Sequence, residues 1–445
     1  MRTCQYNNKL EPISVKDKMS GKRIVIATFG SLGDVHPAIA LGLGLKARGH
    51  DVSIAVSEFF RSKIELEGLG FHPIPPELGN LEPAFIERIL DAKTGTQTVI
   101  RELVLPVLRQ TYSNLMQAIQ DADLFISSDF VFAAPLIAQK TGIPWVSYLL
   151  SPASFFSVYD PPKLPGFVNL PQLPSVERAL NRAVLQLARL TTVQWFKPVR
   201  QLRQELGLPP GNHPLFKDKY SPHLVLAMFS SVLGAPQPDW IPQAQVTGFA
   251  FYDQLLPGQD LSAELTDFLA SGSPPVVFTL GSSAVQRAGN FYTESLEAVK
   301  ALGCRAIFLV GVEEFQNELP TPLPEGMIAV DYAPFSELFP QAAAIVHQGG
   351  VGTIAQALRA GVPMLVVPYA FDQPDNATRV VGLGVAQQIS RESYCREQVV
   401  TALRQLLNNP TYKIAAQSVK ERVNAEDGVQ SACDAIERAL ARLNC

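Results

Sequence analysis

The fold is decided by one stretch of sequence, HQGGVGTIAQALRAGVPMLVVPYAFDQPDN, which runs from His347 to Asn376. The apolar run Ala342–Val346 before it predicts a buried strand that delivers the chain to His347. A helix is predicted over Ile354–Ala360, with Thr353 in the N-cap position, and a second short strand over Met364–Pro368. The unit is therefore a strand, a glycine-rich loop, a helix, a second strand and a second loop.

The glycine-rich loop predicts a binding site for a diphosphate. Gly349, Gly350 and Gly352 precede the helix, whose first turn presents unbonded backbone N–H groups and the positive end of the helix dipole. Glycine lets the backbone approach a diphosphate closely or adopt positive φ. His347, at the carboxyl end of the strand, would lie beside the phosphates.

The end of the stretch has two interpretations. Asp372 could be the N-cap of a helix that begins near Gln373. A cap does not explain the glutamine, whereas the pair offers oxygen acceptors and an amide donor that suit adjacent sugar hydroxyls. Earlier in the chain, Ala333 lies in a Tyr-Ala-Pro turn after a predicted strand, where a nucleotide base could bind.

Composition limits the class of protein. The chain has 445 residues, enough for two domains with cores of their own, and 18% of them are charged. A net charge of −4 argues against a nucleic-acid partner. Five cysteines without CxxC spacing fit a reducing cytosol and predict neither disulfides nor a zinc site.

No metal-binding motif such as HExxH occurs, and no apolar run approaches the roughly 20 residues that a membrane helix needs. We therefore expect a cytoplasmic protein, at most peripheral to the inner face of a membrane, with a flexible lead-in at residues 1–20.

The first half of the chain predicts an α/β domain with a parallel sheet, because short β-branched apolar runs alternate with helical segments. Asp34 and Asp129 each follow a predicted strand, where ligands of such sheets bind. After the first strand comes the turn GSLGDVHP, residues 30–37, and then a predicted helix over Ala38–Arg48. The predicted strands are Arg23–Phe29, Asp51–Val56, Leu124–Ser127, Trp145–Leu149 and, as the last of this half, Leu224–Met228.

The second half repeats this plan. Its first predicted strand, Val276–Leu280, is followed by Gly281, Ser282 and Ser283, whose hydroxyl and N–H groups suit phosphate. We expect two similar domains that face each other across a cleft. Their predicted bounds are residues 21–248 and 249–425, with a last helix at 426–445 folding back on the first domain.

The turn at residues 30–37 has three interpretations, two of which concern Asp34. Asp34 could cap a helix N-terminus, where the dipole would keep it ionised. It could instead be a carboxylate placed over the cleft as a general base. Gly30 and Gly33, with Glu58 further on, also resemble a dinucleotide fingerprint, although G-x-x-G lacks the second glycine of GxGxxG.

From Ser151 to about Pro214 the pattern changes to a segment rich in proline and aromatic residues. It is either a long loop packed on its own aromatic side chains or the wall of an apolar acceptor pocket. In the second interpretation, Phe155, Phe156 and Tyr159 lie at the mouth of the pocket, together with Asp129.

The motif HQGGVGT…AGVP…VP…DQPDNA resembles the donor-binding signature of nucleotide-sugar glycosyltransferases of the GT-B fold. The relevant branch is the inverting superfamily of UDP-glycosyltransferases, sterol glucosyltransferases and antibiotic-tailoring enzymes, and the resemblance covers nearly the whole chain after residue 20. Within that branch GSLGDVHP, LLSPASFF, VTGFAFYD and HQGGVGT look most similar to the rhamnosyltransferases of rhamnolipid synthesis.

The resemblance implies a role for each matched residue. Asp34 would remove the proton of the acceptor hydroxyl, and Asp372 and Gln373 would hold the donor sugar. Asp129 falls near the acid that orients a catalytic histidine in plant members, and the tryptophan that stacks on the base in those members is missing. The residues implied to hold the diphosphate are Ser282, Ser283, His347, Gly349, Gly350, Gly352 and Thr353.

Together these observations predict inverting transfer of a hexose, glucose or rhamnose, from a UDP- or dTDP-sugar to a hydroxyl of a lipophilic acceptor. The acceptor would be a hydroxy fatty acid derivative, a sterol or another aglycone, and no metal or other cofactor is expected. The alternatives are a GT-B epimerase, a non-catalytic partner that binds nucleotide sugars, and a nicotinamide-dependent oxidoreductase.

Overall fold

Two parallel β-sheets of seven and six strands organise the computed structural model, which describes residues 21–79, 81–163, 174–253, 261–311 and 319–443. The strands of the first sheet are β1 Arg23–Ala27, β2 Asp51–Val56, β3 Gly70–Pro73, β4 Leu124–Ser128, β5 Trp145–Leu149, β6 Val225–Ala227 and β7 Ala244–Val246. Those of the second are β8 Val276–Thr279, β9 Ala306–Leu309, β10 Met327–Val330, β11 Ala344–His347, β12 Met364–Val366 and β13 Ala386–Gln388.

The described α-helices cover both faces of these sheets. In the first half they are α1 Leu32–Ala47, α2 Arg61–Leu66, α3 Pro83–Ile89, α4 Gly95–Thr98, α5 Leu108–Ala118, α6 Ala134–Thr141, α7 Pro174–Thr192 and α8 Lys197–Glu205. In the second half they are α9 Ala263–Ala270, α10 Gly281–Ala284, α11 Phe291–Leu302, α12 Phe335–Leu338, α13 Val351–Ala360, α14 Gln373–Gly382, α15 Arg396–Asn408, α16 Pro410–Asn424 and α17 Gly428–Leu443. The predicted class, an α/β protein with two parallel sheets, is confirmed.

The strand order of the first sheet is β3-β2-β1-β4-β5-β6-β7. Sequence order reverses between β1 and β4, which pair in parallel with Ile24 opposite Leu124. Ligands of open α/β sheets bind in the crevice at the carboxyl ends of the strands beside such a reversal. Asp34 follows β1 and Asp129 follows β4, so both carboxylates lie at this crevice.

The second sheet has the order β10-β9-β8-β11-β12-β13, and its reversal lies between β8 and β11. His347 ends β11 and pairs with Thr279 of β8. Gly281 follows β8, and Gly349 follows β11. Each half therefore presents its candidate residues at its own topological switch point.

Three local predictions are wrong. Helix α1 begins at Leu32 rather than Ala38, because Ser31 caps it and the Asp34 side chain completes a capping box. Helix α13 begins at Val351, with Gly350 and not Thr353 as its N-cap. The first sheet gains β7, Ala244–Val246, after the strand that we expected to be its last.

The C-terminal helix α17 returns to the first half and packs on α1. Arg48, the C-cap residue of α1, donates hydrogen bonds to Asp434 over 2.6 Å and to Glu437 over 2.8 Å. Buried Cys433 and Ile436 belong to the same apolar cluster as the β1 strand. Where the chain returns, Gly428 lies against the backbone of Gly248 and Phe249, so closely that a Cβ atom there would overlap the Phe249 carbonyl.

No helix in the described part of the chain combines the length and the hydropathy that crossing a membrane requires.

Candidate active site

Asp34 lies in the first turn of α1, held by the backbone that precedes it. Its Oδ2 accepts a hydrogen bond from the Ser31 N–H over 2.9 Å, and Ser31 Oγ accepts one from the Gly33 N–H over 3.2 Å. Gly30 has a φ of +131°, and a Cβ atom there would overlap the Asp34 carboxyl group. The glycine of the GSLGDVHP turn is thus required so that this carboxylate can fold back on the turn.

The environment of Asp34 raises the pKa of its carboxyl group to about 7. Burial is the largest cause, the hydrogen bond from Ser31 opposes it, and the nearby charges of Asp372 and Asp129 add to it. The helix dipole alone would have kept Asp34 ionised, so this result differs from the expectation for a simple cap. A carboxylate with a pKa near neutrality is suited to accept a proton.

Asp129 is paired with a buried lysine that the sequence did not indicate. Lys219 Nζ lies 3.2 Å from Asp129 Oδ2, and Lys219 is 3% exposed. Burial lowers the pKa of the Lys219 ammonium group, against the opposing attraction of Asp129. The ammonium group also lies 4.9 Å from the ring centroid of Phe156. No local pattern around Lys219 distinguishes it from the charged residues beside it.

His347 is fully buried at the carboxyl end of β11. Its Nδ1 accepts a hydrogen bond from the Gly349 N–H over 3.0 Å, which assigns the proton of the neutral ring to Nε2. Burial lowers the pKa of His347 to about 3, so the ring is neutral at physiological pH. Within the described part of the chain, Nε2 has no hydrogen-bond partner. A buried N–H group without a partner is an available donor for a ligand oxygen.

The N-terminus of α13 has no side-chain cap, since the residue at that position is Gly350. Its first N–H groups are therefore free to bind an anion. Gly349 has a φ of +88°, and a Cβ there would come 2.8 Å from Val366 Cγ1. Around Gly352, by contrast, a Cβ would meet nothing within 4 Å, so open space adjoins the helix entrance. Thr353, in the third helical position, is buried.

The loop after β8 meets the loop after β11 at Gln348. Gly281 has a φ of +64°, and a Cβ there would overlap the Gln348 side-chain amide. Gln348 is 5% exposed, and its Oε1 lacks a hydrogen-bond partner among the described residues. This glutamine is not among the site residues predicted from the sequence. Ser282 is exposed, and the side chain of Ser283 lies outside the described part of the structure.

Asp372 precedes α14, but its side chain does not cap that helix. Its Oδ2 instead accepts a hydrogen bond from Asn376 Nδ2 over 2.8 Å, and Asn376 Nδ2 also donates to the Gly349 carbonyl over 3.1 Å. Burial raises the pKa of Asp372 to about 6, against the hydrogen bond from Asn376. Asn376, which is fully buried, therefore ties the predicted sugar-binding residue to the predicted phosphate loop.

Gln373 shapes the loop before α14. Its Oε1 accepts hydrogen bonds from the N–H groups of Tyr369, over 2.8 Å, and Ala370, over 3.1 Å. The carbonyl end of the side chain is thus engaged, which leaves its amide as the group for a ligand. Ala333 is 1% exposed and packs in the core, so its neighbour Tyr332, which is 59% exposed, is the side chain of that turn that is open to solvent.

The three aromatic residues predicted for the acceptor pocket have different surroundings. Phe155 is buried and stacks on Trp240, with ring centroids 3.8 Å apart, so it supports the wall and does not lie at its mouth. Phe156, at a φ of +51°, packs on Phe216, and Tyr159 is 46% exposed. The rest of the predicted pocket segment, residues 164–173, lies outside the described residues.

Helix α14 also contacts this acceptor segment directly. Arg379 donates a hydrogen bond to Asp160 over 2.7 Å and another to Asp375 over 2.6 Å. Asp375 in turn accepts one from the backbone N–H of Lys163 over 2.9 Å. The helix that begins beside Asp372 is therefore bonded to the segment that follows β5.

Known proteins share both the motifs and the architecture. Residues 24–146 match the glycosyltransferase family 28 N-terminal domain, and residues 296–436 match the erythromycin biosynthesis protein CIII-like, C-terminal domain. The chain is 33% identical to O-mycaminosyltylonolide 6-deoxyallosyltransferase of Streptomyces fradiae, over 93% of this chain and 97% of that protein. It is 29% identical to a sterol 3-beta-glucosyltransferase of Aspergillus terreus over 94% of this chain, but spans only 30% of that protein.

Solved structures show the same fold. The glycotransferase of kitacinnamycin superimposes with a TM-score of 0.72 at 22% identity, over 94% of this chain and 99% of that one. The spinosyn rhamnosyltransferase complexed with thymidine diphosphate gives 0.65 at 17% identity, over 93% of this chain and 100% of that one.

Two Rossmann-like sheets with facing switch points define a GT-B glycosyltransferase. The chain belongs to the family that includes the macrolide and other antibiotic glycosyltransferases, within the UDP-glycosyltransferase and sterol glucosyltransferase superfamily. It is thus an enzyme that transfers a sugar from a nucleotide-sugar donor to an acceptor. The interpretation of the first turn as the cofactor site of an oxidoreductase is therefore wrong. The relatives named above do not support the closer likeness to rhamnosyltransferases of rhamnolipid synthesis.

Proposed function

We propose that this enzyme transfers a hexose, with inversion, from a UDP- or dTDP-sugar to a hydroxyl of a lipophilic aglycone. One observation carries the proposal: Asp372 of the second half lies close enough to Asp34 of the first half for its charge to raise the pKa of the Asp34 carboxyl group. A base on one side and a sugar-binding carboxylate on the other leave the reacting anomeric carbon between them.

In this proposal the second half holds the donor. The uncapped entrance of α13 and the Nε2–H group of His347 bind the diphosphate, and Asp372 with the Gln373 amide binds the sugar hydroxyls. The open space beside Gly352 accommodates the phosphate groups. Backbone dipoles and one neutral N–H donor stabilise the charge that develops on the leaving group.

The first half supplies the base. Asp34 takes the proton from the acceptor hydroxyl as its oxygen attacks the anomeric carbon, and the bond from that carbon to the diphosphate oxygen breaks on the opposite face. The electron pair of that bond leaves with the nucleoside diphosphate. A single in-line displacement of this kind inverts the anomeric configuration. The pKa near 7 suits Asp34 to this exchange of protons.

The choice of substrates rests on relatives and on the acceptor segment. One relative is named as a deoxyallosyltransferase, another as a sterol glucosyltransferase, and a structural relative binds thymidine diphosphate. These names support a hexose donor and a bulky apolar acceptor. Phe156 and Tyr159 provide aromatic surface on the acceptor side, where Lys219 and Asp129 add a buried charged pair.

The test combines ligand binding with one substitution. Thermal unfolding is measured with UDP-glucose, dTDP-rhamnose, UDP, dTDP and, as a negative control, NAD. A ligand at about 100 times its dissociation constant stabilises the protein by roughly 2.7 kcal/mol. Stabilisation by a sugar nucleotide, together with an Asp34→Asn variant that binds it normally but turns over no acceptor, supports the proposal. Undiminished turnover by that variant removes Asp34 as the base.

A further inference from the structure

Helix α7 carries an apolar stripe that faces solvent. Val176, Leu180, Leu187 and Leu190 are 56%, 44%, 62% and 71% exposed. Their separations of four, seven and three residues place them on one side of the helix. The opposite side, with Leu185 at 8% exposure, packs on the first domain. The exposed stripe is therefore a different surface of α7 from the one that packs against the first domain.

The charge around the stripe differs from that of the whole chain. Residues 174–205 contain six basic and two acidic side chains, a local balance of +4 in a protein whose net charge is −4. The basic residues are Arg178, Arg182, Arg189, Lys197, Arg200 and Arg203. Arg182, Arg189 and Lys197 are exposed, whereas Arg203 is buried against Gln139. An exposed apolar stripe beside exposed cations has the composition of a helix that lies in a membrane interface.

The side of α7 that faces away from the stripe adjoins the acceptor side of the active site. Asn181 of α7 donates a hydrogen bond to the Val158 carbonyl over 3.0 Å, and the Arg178 guanidinium group lies 5.5 Å from the centroid of the Tyr159 ring. The same acceptor segment is bonded to α14 through Lys163 and Asp160. A single short segment thus separates the exposed helix from the donor half.

We infer that the apolar stripe of α7 docks the enzyme on the surface of a membrane that contains anionic lipids. Leucine and valine side chains enter the boundary between headgroups and acyl chains, while Arg182, Arg189 and Lys197 bind lipid phosphates. Charge complementarity favours this partner over a second copy of the chain, whose identical basic flank would be repelled. Docking here places the acceptor segment one helix diameter, roughly 10 Å, from the lipid surface, where an apolar acceptor concentrates.

The test is co-sedimentation of the full chain with vesicles, which requires no turnover and so is independent of the proposed reaction. Vesicles of phosphatidylcholine mixed with phosphatidylglycerol should bind the protein, and pure phosphatidylcholine should bind it weakly. The Leu187→Asp/Leu190→Asp variant should lower the partition coefficient by about a hundredfold, since two leucines no longer leave water. Arg182→Gln/Lys197→Gln should reduce binding to the anionic vesicles and its sensitivity to salt.

Ile414→Asp is the matched control, because Ile414 is 68% exposed on α16 of the second half. Equal binding by the Leu187→Asp/Leu190→Asp and Ile414→Asp variants overturns the inference, as does the absence of binding by the unmodified chain. A dimer in light scattering that the double variant dissociates would assign the stripe to a second copy instead. Sugar-nucleotide binding by the double variant should stay normal, which separates loss of docking from misfolding.

Discussion

Asn376 Nδ2 lies 2.8 Å from Asp372 Oδ2 and donates a hydrogen bond to it. The contact joins the residue that precedes α14 to a residue near the start of that helix, and the same amide donates to the Gly349 carbonyl in the phosphate loop. Asn376 thus fixes the orientation of the carboxylate that we assign to the donor sugar.

The first prediction concerns this pair. Asp372→Ala should weaken sugar-nucleotide binding about tenfold or more while leaving free UDP or dTDP nearly unaffected, because only the sugar contact is lost. Asn376→Ala should reproduce that loss of affinity. The double variant should lose less binding free energy than the sum of the two single losses, since Asn376 acts through Asp372. Isothermal titration calorimetry with the sugar nucleotide and with the free nucleotide measures the affinity of each variant. Ser151→Ala, which removes a weaker 3.5 Å contact to Asn376, is the control.

If Asp372→Ala lowers the affinities for the sugar nucleotide and the free nucleotide equally, its carboxylate is structural and does not bind the sugar.

The second prediction concerns the rate of transfer by the Asp34→Asn variant. Loss of the base should lower kcat by about 10²–10⁴-fold, while the dissociation constant for the sugar nucleotide stays within about twofold. In the unmodified enzyme, kcat/KM for the acceptor should rise with pH and level off above about pH 7, because the pKa of Asp34 is raised to about 7. An acceptor assay across this range measures both. A flat profile that is identical in the variant would contradict the assignment.

The third prediction concerns stability, and its sign follows from the same pKa. The folded protein holds a proton on Asp34 up to about pH 7, whereas the unfolded chain loses it near the ordinary value of 3.8. Stability therefore falls as pH rises through this interval and stays reduced above it. Asp34→Asn removes this loss of stability. The free energy of unfolding of the variant should therefore exceed that of the unmodified protein by about 1–3 kcal/mol at pH 8 and by less at pH 5. Urea unfolding at both pH values measures the difference.

A fourth prediction compares two glycines. A Cβ at Gly352 or at Gly382 would meet nothing within 4 Å, and both residues lie in helices. Alanine at either position should therefore leave the melting temperature unchanged or raise it slightly, because alanine favours helix. Gly352→Ala alone should weaken nucleotide-sugar binding, since its methyl group enters the space that we assign to the phosphates. Equal affinity in the two variants would place the diphosphate elsewhere.

The fifth prediction concerns the buried pair of Lys219 and Asp129. Lys219→Met leaves a buried carboxylate without its partner and should lower the free energy of unfolding by about 3–5 kcal/mol. Asp129→Asn/Lys219→Met should recover most of that loss, because neither member then carries an uncompensated charge. A double-mutant cycle by urea unfolding measures the coupling, and strictly additive losses would show that the two charges do not interact.

Much of the fold was predictable from sequence because its strands are short apolar runs bounded by glycine or proline. The exceptions have local causes. Strand β7 reads Ala-Gln-Val and is only partly buried, so it lacks the apolar run that marked the others. The start of α1 was missed because glycines and Pro37 suggested a turn, whereas the Ser31–Asp34 capping box begins the helix five residues before that proline.

The candidate site likewise contains residues that could be predicted from the sequence and residues that could not. Residues within one contiguous motif, such as His347 and Asp372, could be assigned because their neighbours in sequence are also their neighbours in the site. Lys219 could not, since its partner Asp129 lies 90 residues earlier in the chain. The burial of Phe155 could not be predicted either, because Trp240, on which it stacks, comes 85 positions later in the sequence.

The chain passes between the two halves twice, once after Gly248 and once before Gly428, and these two passages touch. Paired connections at one edge act as a common pivot, because neither half can slide away without stretching one passage against the other. We therefore expect changes in the width of the cleft to be rotations about this pair of connections. The distance between Asp34 and Asp372 would then report the width of the cleft. Spectroscopic labels on the two halves would follow that width directly during a catalytic cycle.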